Sequence, residues 1–305
     1  MGLYMALESW LNVIAPSAAR GRVFSAYMAV TLVAMAIGQY LVLAGDVLGF
    51  VPLGLVSILL SLALVPVAFT RTPEPAPSNP PKLGLRRLYA MSPLGFVGAV
   101  ASGLLNGAFY GMGAVFAQRI GLSDLGVAAF MSATILGGAL LQWPIGQASD
   151  RFDRRRVMTL VCAIAAVFAL AARLIADVSE PGLFVIGFLY GGLVFSVYGL
   201  SVALVNDRIE PEQALEASGG LLLVHGVGAA IGPAAAGFFM NEVGPGSLLV
   251  YFALVLVAAA AFGLWRLRVG EPLPVDQQTG FVSLASSSHA ALEMDPRIDE
   301  AAGNR

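Results

Sequence analysis

Residues 146 to 158 read GQASDRFDRRRVM, and the seven positions from Asp150 to Arg156 hold six charges. Elsewhere charge is scarce: 12% of the 305 residues are charged and 58% are hydrophobic. A soluble domain carries about 25% charged residues, so half that share with a mean hydropathy of +0.81 points to lipid as the solvent. A charge inside hydrocarbon costs a few kcal/mol, which places this cluster where the chain leaves the membrane.

Crossing a hydrocarbon core of about 30 Å takes about 20 apolar residues at 1.5 Å each. Working outward from the charged loop, eight windows meet that length: Val23 to Ala44, Val47 to Phe69, Met91 to Gln118, Leu125 to Ser149, Val157 to Ala176, Pro181 to Val205, Ala217 to Met240 and Val243 to Trp265. Only Arg173 carries a formal charge within them. The runs lack period-2 alternation, and backbone in lipid must satisfy its own hydrogen bonds, so helices are expected. An apolar opening, MGLYMALESWLNVIAP, is too short to span and has no signal-peptide pattern; it reads as the end of a further helix. The expected fold class is an all-α polytopic membrane protein with about eight complete spans plus the end of another.

Sixteen arginines and Lys82 are the basic residues. Assigned to alternating loops, fifteen fall on one side, against Arg119 and Arg173 on the other. That asymmetry makes the charged loop and the C-terminus cytoplasmic. Four segments follow: residues 1–69 with the first helices, a Pro-rich connector over 70–90, six helices over 91–268 and a flexible tail over 269–305. Cys162 is the single cysteine, no metal, cofactor or Walker motif occurs, and nothing suggests a nucleic-acid surface. GVGAAIG at 226–232 follows no strand and lacks the dinucleotide spacing.

Shifting the first 45 residues by 194 aligns Tyr4 with Tyr198, Asn12 with Asn206, Val33 with Val227 and Gly38 with Gly232. Parallel halves of six helices are one plan of secondary transporters. GQASDRFDRR resembles the loop signature G-x-x-x-D-R-x-G-R-R of the major facilitator superfamily, with Asp153 in place of the usual Gly. ESWLN at 8–12, NGAFYGMG at 106–113, QWPIG at 142–146 and IGP at 231–233 resemble an orphan bacterial branch of that family. The resemblance implies a twelve-helix carrier that works by alternating access, of which this chain would lack the first three and a half helices. It also implies a bacterial inner-membrane location, and a gating role for Gly146, Asp150, Arg151, Arg154 and Arg155 in holding the cytoplasm-closed state.

Ser102, Asn106 and Tyr110 recur every four residues, which puts them on one helix face, and Gly103, Gly107 and Gly111 recur likewise on another. Asn106 and Tyr110 either bond between helices or, as the resemblance implies, line a substrate cavity together with Tyr198. Gln142 either hydrogen-bonds to a neighbouring helix or is a further substrate-cavity candidate. His225 is either a hydrogen-bonded packing residue or a proton relay, since imidazole titrates near neutrality. Arg173 and Asp177, four residues apart, suit an interfacial pair. The function expected is secondary transport of a small solute, with the lipid bilayer and, through His225, a proton as partners; the alternative is a shortened carrier that depends on a partner. A membrane enzyme would need a cluster of catalytic carboxylates, His or Cys near the membrane, and the spans hold none.

Overall fold

The computed structural model describes residues 20–46, 49–69, 84–209 and 214–269, together with Pro274, Gln278 and Phe281 of the tail. The opening stretch with Tyr4, Glu8 and Asn12, and the Pro-rich connector up to residue 83, lie outside the described residues.

Nine helices make up the described chain, and no strand occurs among the described residues. They are α1 Arg20–Gly38, α2 Phe50–Phe69, α3 Leu85–Met91, α4 Pro93–Arg119, α5 Asp124–Arg151, α6 Arg154–Ile175, α7 Glu180–Asn206, α8 Ala214–Glu242 and α9 Ser247–Val269. Six of these, α4 to α9, are long and apolar enough to cross a membrane. The first two apolar windows depart from simple spans. Hydrogen bonding tightens to a 3-10 helix over Gln39–Ala44 after α1, and α2 starts at Phe50, three residues after the apolar run begins.

Side-chain chemistry explains where the long helices start. Ser123 accepts from the Gly126 amide, Asp153 from the Arg155 amide and Ser179 from the Gly182 amide, each capping a first turn that has no earlier carbonyl to use. Pro93 and Pro181 fall in first turns, where a missing amide does no harm.

Lateral packing rests on small residues. A Cβ on Gly103 or Gly107 would strike the carbonyl oxygen of His225 or Ala229, and one on Gly111 would stand 2.8 Å from the Pro233 ring. Gly228 and Gly232 return the contact against the carbonyls of Val100 and Leu104, so α4 and α8 touch backbone to backbone. GVGAAIG is therefore a helix contact. Gly137 against the Phe188 carbonyl and Gly191 against the Thr134 carbonyl join α5 to α7 in the same way. Among the described residues α1 is tied to the bundle by Ser132 Oγ, which donates to the Ala36 carbonyl of α1.

Candidate functional site

Three helix ends converge where α5 stops and α6 starts. Arg154, in the first turn of α6, is only 1% exposed although it carries a full charge. Its Nη2 donates to Asp150 Oδ1 at 2.9 Å, and its Nη1 to Asp207 Oδ1 at 2.6 Å. Nη1 also reaches the Ala203 carbonyl at 3.3 Å. One guanidinium thus joins the end of α5, the start of α6 and the residue that follows α7. Burying such a charge is tolerable only with this density of acceptors.

Asp153, the residue that departs from the family signature, has an evident local task. Its Oδ1 accepts from the Arg155 amide at 3.0 Å and Nε at 3.2 Å, and its Oδ2 from Nη2 at 3.1 Å. It caps α6 and clamps the buried Arg155 in one move. Arg151 ends α5 exposed to solvent, where a cation suits the carbonyl end of a helix. Burial, with Arg155 and Arg266 nearby, lowers the pKa of Arg208 just beyond α7.

The tail enters this site. The backbone amide of Phe281 donates to Asp150 Oδ1 at 2.9 Å, and the Phe281 ring fills the room left by two glycines, Gly146 of α5 and Gly199 of α7. Gln142 adjoins the same notch, 3.7 Å from where a Gly199 Cβ would stand. Gln278 lines a small cleft with Arg154, Asp207 and Arg208. Asp150 thus takes partners from the first turn of the neighbouring helix α6 and from the tail.

Deeper in the bundle the polar candidates divide into separate groups. Tyr198 and His225, both buried, face each other across α7 and α8 with ring centroids 4.7 Å apart. His225 also hydrogen-bonds the Ala99 backbone of α4, while its Nδ1 is buried without a partner. Asn106 Nδ2 donates to Ser102 Oγ at 3.2 Å within α4, and Asn106 Oδ1 is buried and unpaired. Tyr110 is 40% exposed and packs against the rings of Phe109 and Phe195. Tyr110 and Tyr198 sit beside other rings, whereas Gln142 belongs to the notch under Asp150. Position in the sequence did not single out Asp207 or Phe281. An acidic residue directly after a span, level with an arginine-rich loop, was the available signal for Asp207.

Comparison with known proteins adds the family context. A model of the Major Facilitator Superfamily matches residues 2–214 and 95–291. The chain is 27% identical over 257 residues to an uncharacterized MFS-type transporter, YcaD, of Escherichia coli O17:K52:H18, covering 83% of this chain and 65% of that protein. A counterpart in Enterobacter sp. strain 638 is 29% identical over 283 residues, covering 90% of this chain and 70% of the relative. YcaD of Shigella flexneri serotype 5b is 27% identical over 257 residues. The chain thus spans about two thirds of the length of the curated relatives it matches.

Proposed function

The chain belongs to the Major Facilitator Superfamily, and from that premise we propose that it acts as a secondary transporter moving a small uncharged or amphiphilic solute by alternating access. One observation carries this reading: the buried Arg154, shared between Asp150 and Asp207, ties three helix ends with ion pairs. A buried ion pair is a weak source of stability but a good registry device, because it holds only while its geometry is met. Loss of one partner as the bundle tilts would release the others, which is what a gate requires.

In this reading Gly146, Asp150, Arg151, Arg154 and Arg155 form the gate at the cytoplasmic face. Asn106, Tyr110, Tyr198 and Gln142 contact the solute from α4, α5 and α7. The ring neighbours of Tyr110 and Tyr198, and the absence of a formal charge other than Arg173 from the apolar windows of the sequence, favour an uncharged or amphiphilic cargo. His225 supplies proton coupling from a position between α4, α7 and α8. A bacterial inner-membrane location belongs to this reading, and the arginine asymmetry favours a cytoplasmic C-terminus.

The test is solute-dependent flux. Proteoliposomes carrying the chain and an internal pH dye are challenged with a panel of small neutral and amphiphilic solutes under an imposed proton gradient. A solute that moves protons in wild type, and fails to in Asp150→Asn at unchanged thermal stability, supports the gate. Equal flux in the variant would remove the gating role.

A further inference from the structure

At the end of the bundle opposite Asp150, the last turns of α6 and α8 and the start of α9 enclose a groove of about 370 Å³, within the size range of small-molecule sites. Phe239, Val243, Val250 and Leu254 form apolar walls, and Arg173, Asp177 and Ser247 lie at the rim. Val243 and Leu254 are among the most exposed apolar residues of these helices, at 75% and 62%. The groove therefore opens sideways, toward the acyl chains of a bilayer.

Two features distinguish this groove from an ordinary lipid-facing crease. Tyr251, 8% exposed, lines it and has a buried hydroxyl with no hydrogen-bond partner, an arrangement that leaves a donor unsatisfied. Arg173 is seated on the turn between α8 and α9: a Cβ on Gly246 would lie 2.8 Å from the guanidinium carbon. That turn is held by the positive φ of Gly244, +111°, and by Ser247 Oγ, which donates to the Gly244 carbonyl at 2.7 Å. Asp177 engages Arg173 through Nη1 alone, at 3.2 Å, and its side chain is 67% exposed. A solvated pair of this kind is worth little, and a guanidinium has five N–H donors to offer. The groove thus presents a positioned cation at the level of the helix ends, an apolar trough behind it and a hydroxyl in want of an acceptor.

We propose that this groove binds one phospholipid, with the headgroup phosphate on Arg173, an ester carbonyl accepting from the Tyr251 hydroxyl, and an acyl chain along Phe239, Val250 and Leu254. The lipid would seal α6 to the α8–α9 corner. Phosphate on guanidinium is a strong, charge-assisted pairing, and basic sites at the ends of spans are natural headgroup contacts. A free phosphate ion shares the headgroup chemistry but leaves the trough unfilled.

Native mass spectrometry of the chain, purified from membranes in mild detergent, tests this. Wild type is expected to retain one phospholipid that survives detergent exchange. Arg173→Gln, which removes the cation, and Val250→Trp, which fills the trough, should each lower occupancy about tenfold, equivalent to about 1.4 kcal/mol. Leu264→Trp, on a lipid-exposed face of α9 away from the groove, should leave it unchanged. Delipidated protein should rebind phosphatidylglycerol in preference to diacylglycerol, and inorganic phosphate should not displace it. Equal occupancy in all variants, equal rebinding of diacylglycerol, or displacement by inorganic phosphate would each overturn the proposal.

Discussion

Arg154 and Asp207 meet at 2.6 Å, with side chains 1% and 5% exposed, although the two residues flank different helices, α6 and α7. Asp150 contacts the same guanidinium from a half-exposed position at 39%. The two pairs differ in what they hold. Asp207 is committed to the buried state, whereas Asp150 stands at the surface and also accepts the Phe281 amide.

Removal of Arg154 should therefore be more damaging than removal of Asp150. Arg154→Met strands a buried carboxylate on Asp207 and is expected to destabilise the chain by about 3–5 kcal/mol. Asp150→Asn should change stability by less than about 1 kcal/mol, since its partner keeps Asp207. Adding Asp207→Leu to Arg154→Met should restore most of the loss. Thermal unfolding in detergent, read by fluorescence, measures all three, and a double variant as unstable as Arg154→Met would refute the pairing.

The glycines of α4 and α8 predict opposite outcomes for the same kind of change. Gly107→Ala places a Cβ against Ala229 backbone, which cannot move aside without parting the helices, and should cost about 1–3 kcal/mol. Gly226→Ala meets nothing within 4 Å and should stabilise α8 by up to about 1 kcal/mol through helix propensity. Melting temperatures of the two variants moving in the same direction would contradict the packing described.

Docking of the tail can be read chemically. Cysteines at Gly199 and Phe281 should cross-link with a short bifunctional reagent, and cysteines at Gly226 and Phe281 should not. Gel shift after protease cleavage between the two positions reports it, and equal yields from the two pairs would place Phe281 elsewhere.

For His225 the informative variant is Phe, which keeps the ring contact with Tyr198. His225→Phe should shift stability by less than about 1.5 kcal/mol, as a swap of similar volume does. Solute exchange down its own gradient should persist, while proton-driven accumulation is lost. Retained accumulation would return His225 to a packing role.

Much of this was legible because lipid simplifies the reading. Hydropathy located α4 to α9 within a few residues, and the Gly103, Gly107 and Gly111 spacing indicated a close helix contact, since only glycine admits a neighbouring backbone. Arg173 and Asp177 were readable as a pair from their spacing alone. Less was readable where a partner comes from far along the chain. Asp207 lies 53 positions from Arg154, and Phe281 lies 131 from Asp150; no local period links such residues. The change to 3-10 hydrogen bonding at Gln39 was also hidden, because apolar composition continues through it while backbone geometry does not.

The backbone contact between α4 and α8 has a consequence for biosynthesis. Helix α4 leaves the ribosome well before α8, with α5, α6 and α7 made in between. Until α8 arrives, the glycine face of α4 has no backbone to meet, and the imidazole that reaches the Ala99 backbone does not yet exist. The newborn bundle must wait in the bilayer with that seam open, so its assembly is timed by the arrival of the α8 stretch from His225 to Pro233.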